Sequence, residues 1–203
     1  MQYYMLNKPR GLITARKDES KPTVMECFPK ELRDILHPVG RLDLDTEGIL
    51  LFADDGKLDQ EVIRPEKNVK KEYEFYAFGI IDENAKAMLE NGVLLTDGKT
   101  VSKPAEAEVI QYITIGDSID YLPEDKKEHF LKNPDRPVTV GKLWITEGKR
   151  HQIKLMVKAV GCHVFYLKRL AIGPLRLDSS LLPGEYRKLT SEEIDLLISQ
   201  AKD

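Results

Sequence analysis

The sequence is poor in cysteine, and its few thiols form no recognisable pattern. Cys27 and Cys162 are the only two, and their wide separation indicates reduced thiols rather than a disulfide framework or a zinc site. No apolar run approaches the roughly 20 residues that a transmembrane helix needs, and the N-terminus lacks a signal-peptide pattern. Motifs that bind nucleotide or dinucleotide phosphates are missing as well. These absences predict a cytoplasmic protein that spans no membrane and binds neither a metal nor a nucleotide cofactor.

Negative charge prevails over the whole chain but not within one later segment. The formal net charge is −3, which by itself argues weakly against a nucleic-acid ligand. From Val140 to Arg176, however, Glu147 is the only acidic residue, so this segment carries +7 and the remainder −10. Such asymmetry indicates a localised anion-binding face, and a set of solvated helix and strand faces is the alternative. The eight basic residues of the segment are Lys142, Lys149, Arg150, Lys154, Lys158, Lys168, Arg169 and Arg176.

The length fits one large domain or two small ones, since the chain has 203 residues. We predict a single domain over residues 1–203. Residues 116–137 interrupt its regular pattern, because Pro123, Pro134 and Pro137 flank a charged run. This composition favours a surface insertion with one short helix, and a linker between independent domains is the alternative.

Local signals place several helices and one hairpin-like turn. The turn is Asn7–Gly11, which contains Pro9 and follows a short strand. Helices are predicted from capping residues, glycine stops and apolar periodicity. They cover residues 57–63, stopped by Pro65, residues 82–90 with Asp82 as the N-cap, residues 151–160, and residues 190–200, starting at Thr190.

The stretch from Gly40 to Gly56, GRLDLDTEGILLFADDG, organises the rest of the chain. Its apolar part, Ile49–Phe52, is too short for an amphipathic helix and is bounded by turn residues, so it predicts a buried strand. Asp43 and Asp45 therefore lie on a loop that leads directly into the core, where a rigid scaffold often displays reactive groups. A solvated acidic turn is the alternative.

This stretch resembles the signature of RNA pseudouridine synthases, in the branch that modifies ribosomal RNA. The resemblance extends over nearly the whole chain, through YYMLNKPRG, KEY, GVLLTDGKTVSKPA, ITEGKRHQIK and PGEYRKLT. It implies an α/β (α+β) fold, with a central and mostly antiparallel sheet in two halves, helices flanking it, and a cleft between the halves. It also implies isomerisation of uridine to pseudouridine, a reaction that needs no cofactor.

The resemblance also assigns roles to individual residues. Asp43 is the expected nucleophile, and Lys154 is the cation expected to keep its carboxylate ionised. Tyr73 is expected to stack on the extruded uracil, and its hydroxyl or a water it holds to remove the carbon-bound proton. His151 receives no catalytic role. Charge, rather than the resemblance, predicts RNA contacts for five basic residues. Lys149, Arg150, Lys168 and Arg169 are expected to bind backbone phosphate, and Arg41 to occupy the space vacated by the base or to contact phosphate.

Two departures from the family pattern matter for the target. Many relatives carry a small RNA-binding domain ahead of the catalytic one, whereas this sequence begins with the catalytic part. Lys154 stands where many members have arginine, and the small-subunit branch is similar in using lysine. We therefore expect a monomer that acts on ribosomal RNA, preferably of the small subunit, or on an assembling ribosomal particle.

Two other functions compete with this interpretation. A catalytically silent RNA-binding or ribosome-assembly factor would use the same fold, since fold does not fix function. It should have lost at least one of Asp43, Tyr73 and Lys154, and the chain has all three. A hydrolase with Asp43 and Asp45 as paired carboxylates is the other alternative, but it needs a second positioned acid.

Overall fold

A computed structural model describes residues 1–56, 68–95 and 98–200. For residue 200 it describes the backbone alone. The chain forms two compact units: Met1–Lys71 with Lys168–Asp203, and Glu72–Leu167. The strands of the described residues are β1 (Tyr3–Lys8), β2 (His37–Val39), β3 (Glu47–Ala53), β4 (Lys71–Phe78), β5 (Glu106–Thr114), β6 (Pro137–Ile145), β7 (His163–Ile172), β8 (Leu175–Arg176) and β9 (Tyr186–Lys188). Their helices are α1 (Lys30–Arg33), α2 (Glu83–Asn91), α3 (Lys127–Phe130), α4 (Gln152–Ala159) and α5 (Ser191–Gln200).

Strand β3 forms the core of the first unit. Ile49–Ala53 are each 0% exposed, because a continuous apolar run buries both faces of a strand. β1 and β2 pair antiparallel with β3, with Leu6 opposite Leu50, and β9 pairs antiparallel with β1. The second half of β7 runs parallel to the start of β3, where Gly48 lies opposite Arg169. Gly48 has φ +103°, and an added Cβ would collide with the Arg169 backbone, so this pairing requires glycine.

The second unit is built on the antiparallel pair β5 and β6, followed in sheet order by β4 and the first half of β7. Residues 116–137, predicted as an insertion, connect β5 to β6. Their aromatic side chains pack on β4: Tyr121 stacks on Tyr76 with ring centroids 4.2 Å apart, and Phe130 lies 4.6 Å from Phe78. The segment therefore contributes to the core of this unit.

Much of the predicted architecture is confirmed. The protein is mixed α/β, and of the strand pairings given above only β3 with β7 is parallel. The N-cap of α2 is Asp82, whose Oδ1 accepts from the Ala85 amide at 2.8 Å. Helix α5 begins at Ser191, and the hydroxyl of the preceding Thr190 accepts from the Glu193 amide at 3.2 Å. The predicted cleft stays a prediction, and the helix predicted at residues 57–63 lies outside the described residues. Within the described ranges, no helix is both long and apolar enough to cross a bilayer.

Candidate active site

The loop between β2 and β3 carries Asp43, and backbone contacts fix it from both sides. Gly40 opens the loop with φ +78°, a conformation that suits glycine. Leu42 is buried, and Thr14 holds it: the Thr14 hydroxyl donates to the Leu42 carbonyl at 2.8 Å and accepts from its amide at 3.2 Å. The Thr46 amide donates to the Asp43 carbonyl at 3.1 Å and closes a turn. Asp43 is half-buried, and Arg41 and Asp45 are exposed.

A buried lysine anchors this turn. The Lys8 ammonium, 0% exposed, donates to the carbonyl oxygens of Asp43 at 3.1 Å, Leu44 at 3.4 Å and Thr46 at 2.9 Å. It also donates to the Pro9 carbonyl at 3.0 Å. The charged Lys8 ammonium thus fixes the position of Asp43 by a hydrogen bond to the Asp43 backbone carbonyl.

Burial lowers the pKa of Lys8 to about 8. The carboxylates of Asp45, Glu47 and Asp43 oppose this effect by favouring the charged amine, in that order of strength. Lys8 therefore remains mostly protonated at neutral pH and donates to the loop in that form.

The turn after β1 is tied to the same loop. The Gly11 amide donates to the Leu44 carbonyl at 2.8 Å, and Arg10 forms an ion pair with Glu47 at 3.1 Å. Glu47 opens β3, so the two sequence motifs, Asn7–Gly11 and the Asp43 loop, pack as one body. Such support keeps a reactive side chain within a narrow range of positions.

Two of the predicted RNA contacts lie on the second half of β7. Lys168 is half-buried and lies opposite Glu47 in the strand pairing. Arg169 is 3% exposed, and its Nε donates to the Ile49 carbonyl at 2.9 Å. Its Nη2 is buried without a hydrogen-bond partner among the described residues. The predicted contact of Arg169 with backbone phosphate stays a prediction.

Arg169 also affects a neighbouring lysine of the same unit. Lys71 is 7% exposed and donates to the Val69 carbonyl at 2.8 Å. Burial lowers its pKa to about 8, and the positive charge of Arg169 adds to the lowering. The start of β4 thus carries a buried amine that is more easily deprotonated than an ordinary lysine.

Tyr73 lies on β4 in the second unit and is 8% exposed. Its neighbour Glu72 forms an ion pair with Lys142 of β6 at 3.1 Å, which ties the two strands together. Among the described residues, Tyr73 packs against no other aromatic ring, whereas Tyr76 contacts three in the cluster of this unit. The strand therefore holds the Tyr73 ring without using it in an aromatic pair.

Lys154 lies in the first turn of α4, where a positive charge is unfavourable. The partial positive charge at a helix N-terminus favours acidic residues, yet the first turn of α4 contains none. The N-cap is His151, in the left-handed conformation with φ +55° and without a side-chain capping bond. Lys149 and Arg150 directly precede it and are exposed. The first turn of α4 therefore carries a lysine but no acidic residue that would favour the helix dipole.

The predicted site residues are divided between the two units. Arg41, Asp43, Lys168 and Arg169 belong to the first, whereas Tyr73, Lys149, Arg150 and Lys154 belong to the second. The ion pair expected between Asp43 and Lys154 stays a prediction.

Sequence reasoning missed the supporting residues. The sequence places Lys8 in a turn motif, and the sequence around Thr14 contains no recognisable motif. Glu147 and Gln152 form a hydrogen bond that organises the basic turn before α4, and the sequence pattern alone does not indicate this contact.

Comparison with known proteins gives a consistent result. Residues 2–159 match the family model described as RNA pseudouridylate synthase. The chain is 42% identical over 196 residues to the uncharacterized RNA pseudouridine synthase YtzG of Bacillus subtilis, covering 96% of this chain and 72% of that protein. It is 34% identical over 197 residues to ribosomal small subunit pseudouridine synthase A of Haemophilus influenzae, covering 97% and 74% of the two chains.

Solved structures agree with this result. A crystal structure of a pseudouridylate synthase superposes with a TM-score of 0.78 at 35% identity, covering 97% of this chain and 73% of that one. An archaeal box H/ACA Nop10–Cbf5 complex superposes with a TM-score of 0.54 at 18% identity, covering 90% and 51%, and shares the fold alone.

Proposed function

The chain belongs to the RNA pseudouridylate synthase family and is therefore an isomerase, and on this premise we propose that it converts a specific uridine of ribosomal RNA into pseudouridine. The preferred substrate is small-subunit RNA or a particle assembling around it, because the relative named above modifies that subunit. The strongest support from the structure is the Asp43 loop, whose backbone carbonyls are bound by the buried Lys8 at the end of β1. The enzyme acts in the cytoplasm as a monomer without a cofactor.

Asp43 is the nucleophile in this proposal. The reaction breaks the bond between ribose and uracil N1, turns the base and rejoins it through C5. C5 loses a proton and N1 gains one, so no atom is gained or lost overall. A carboxylate serves attack either on the uracil ring or on the ribose carbon. Since Asp43 is half-buried on a fixed turn, a flipped nucleotide reaches it without rearrangement of the loop.

Tyr73 and Lys154 complete the proposed chemistry. The Tyr73 ring stacks on the extruded uracil, and its hydroxyl, or a water it holds, takes the C5 proton after the new bond has formed. Lys154 supplies the positive charge that keeps Asp43 ionised. A lysine does this as a point charge and lacks the bidentate geometry of arginine.

The RNA backbone meets three cations in this proposal. Arg41 and Arg150 are exposed and Lys168 is half-buried, so each has surface available for a phosphate. Arg169 is left out because it is buried, and Lys149 because it forms an ion pair with Glu147.

The test compares two aspartates on one loop. We expect Asp43→Asn to reduce pseudouridine formation by at least about 10³-fold, because the amide is not a nucleophile. Asp45→Asn should be far milder, since Asp45 is exposed and is proposed only to support the loop. Tritium release from RNA with labelled uridine measures turnover, and thermal melting checks that both variants fold. Normal turnover by folded Asp43→Asn would refute the role of Asp43, and equal complete loss in both would favour a paired-carboxylate mechanism.

The target requires a cellular measurement. Pseudouridine mapping in ribosomal RNA, from cells with and without this gene, should show one small-subunit position that loses its modification. Loss from large-subunit RNA alone would contradict the subunit preference and leave the chemistry intact.

A further inference from the structure

The turn between β6 and α4 is organised around a carboxylate. Glu147 Oε2 accepts hydrogen bonds from Gln152 Nε2 at 2.6 Å and from the Lys103 backbone amide at 2.8 Å. Its other oxygen, Oε1, pairs with the Lys149 ammonium at 2.8 Å. The Glu147 side chain is only 12% exposed, whereas that of Lys149 is 41% exposed. All of these residues belong to the second unit.

Gln152 closes the turn from the other side. It is 4% exposed, and its Oε1 accepts from the Lys149 backbone amide at 3.0 Å. The backbone amide of Gln152 donates to the Lys149 carbonyl at 3.2 Å. Together with the left-handed His151, at φ +55°, these bonds hold residues 147–152 in one conformation. The basic residues on this turn are thus presented by a fixed backbone.

Glu147 stays ionised in this environment. Burial raises its pKa, but donation by Lys149, the Lys103 amide and Gln152 together lower it below the ordinary value. Hydrogen bonds that involve an ionised partner are roughly twice as strong as neutral ones. The charge of Lys149 is therefore compensated within the turn, and its ammonium also donates to the Val101 carbonyl at 3.4 Å.

Arg150 differs from its neighbour Lys149. It is exposed, and no ion pair or hydrogen bond involves its side chain in the described part of the chain. Two adjacent cations of equal formal charge thus have different electrostatic roles. A phosphate that approached Lys149 would have to compete with a carboxylate 2.8 Å away, whereas no carboxylate of the described residues pairs with Arg150.

We propose that Glu147 sets the RNA contact of this turn, by binding Lys149 internally and presenting Arg150 as the phosphate-binding side chain. Glu147 and Gln152 are then positioning residues that act through the turn. The inference rests on the proposed function, since it assumes that the ligand is RNA. It also explains why the sole acidic residue between Val140 and Arg176 is largely buried and paired with Lys149.

The salt dependence of RNA binding tests this assignment. Each phosphate contact with single-stranded RNA contributes about 0.7 to the slope of log affinity against log salt. We expect Arg150→Gln to reduce the magnitude of this negative slope by about 0.7, and Lys149→Gln to leave it unchanged. Glu147→Gln keeps the shape of the side chain but releases Lys149 to contact a further phosphate. The slope should therefore become steeper by about 0.7. The probe is a fluorescein-labelled uridine-containing RNA, titrated by anisotropy at several salt concentrations.

Equal loss of slope in Lys149→Gln and Arg150→Gln would overturn the inference, because Lys149 would then contact phosphate directly. A slope that is unchanged or shallower in folded Glu147→Gln would overturn it as well. Thermal melting identifies variants that do not fold. If Glu147→Gln does not fold, the comparison of Lys149→Gln with Arg150→Gln still tests the inference. Wild-type turnover, measured in parallel by tritium release, separates the two failures: without turnover the proposed function fails, and with turnover only this inference fails.

Discussion

At the residue scale, Lys8 shows how a buried charge supports a reactive loop. Its ammonium donates to four backbone carbonyls, of Pro9, Asp43, Leu44 and Thr46, so it fixes main chain rather than a single side chain. A lysine buried in this way costs free energy unless its protons are all satisfied. The lysine side chain is long enough to reach these carbonyls and has three N–H donors. A shorter or neutral residue would therefore leave carbonyl groups of the loop unpaired.

The lowered pKa of Lys8 predicts a pH dependence of stability. Its pKa is about 8 in the folded protein and about 10.4 in an unfolded chain. Between these values the unfolded state binds the additional proton, so stability rises with pH across this window. Relative to Lys8→Met, the wild type should therefore gain about 1 kcal/mol between pH 8 and pH 9.

Urea denaturation of both proteins at several pH values measures this difference. Taking the difference cancels the contribution of Lys71, which has a similarly lowered pKa. A difference that stays flat from pH 7 to pH 10 would show that Lys8 keeps an ordinary pKa.

Tyr73 allows its two proposed roles to be separated. Tyr73→Phe keeps the ring and loses only the hydroxyl, so we expect unchanged RNA affinity and a single-turnover rate lower by about 10²–10⁴-fold. Tyr73→Leu should also weaken binding of the target, because base–aromatic stacking is worth about 1–3 kcal/mol. Rapid-quench measurements at saturating enzyme give the rate. A full rate in Tyr73→Phe would restrict the residue to stacking.

At the element scale, α4 shows a conflict between stability and function. Lys154 occupies the first turn, where a cation costs about 0.3–1 kcal/mol through the helix dipole. We expect Lys154→Gln to reduce turnover by at least about 100-fold, yet to change the free energy of unfolding by less than about 1 kcal/mol. Lys154→Arg is the matched control and should retain most activity, because it preserves the charge. Unfolding of Lys154→Gln at ordinary temperature would instead indicate a structural role.

Elements with a strong local signal could be predicted from the sequence, and those defined by pairing could not. The apolar run of β3 and the period of α4 determine these elements locally. β7 was not predicted, because its residues Lys168 and Arg169 break any strand pattern, and their surroundings come from β3, more than 100 positions away in the chain. The same holds for the candidate site: Asp43 was found through its motif, but Lys8 and Thr14 support it through contacts 28–35 residues apart in sequence. Arg169 was assigned to RNA by its charge, whereas its burial depends on tertiary packing.

At the scale of the whole molecule, charge distribution sets the expected mode of binding. The segment from Val140 to Arg176 carries +7 against −10 elsewhere, so attraction to RNA is local rather than general. If the three proposed cations each neutralise one phosphate, log affinity should fall with log salt at a slope of about −2. We therefore expect weak binding of naked RNA at physiological salt, and tighter binding of structured ribosomal RNA or an assembling particle.

Charge reversal tests whether this attraction is localised. Arg150→Glu combined with Lys168→Glu should weaken binding to all RNA sequences alike and flatten the slope by about 1.4, because two phosphate contacts are lost. Lys132→Glu is the matched control: this lysine is exposed, lies in the connection between β5 and β6, and has no proposed role. Reversing it changes the net charge by half as much but removes no contact, so the slope should not change. Anisotropy titrations over a range of salt concentrations measure all three proteins. If Lys132→Glu flattened the slope by half the effect of the double variant, RNA would respond to the net charge of the protein, and the basic segment would be only a solvated face.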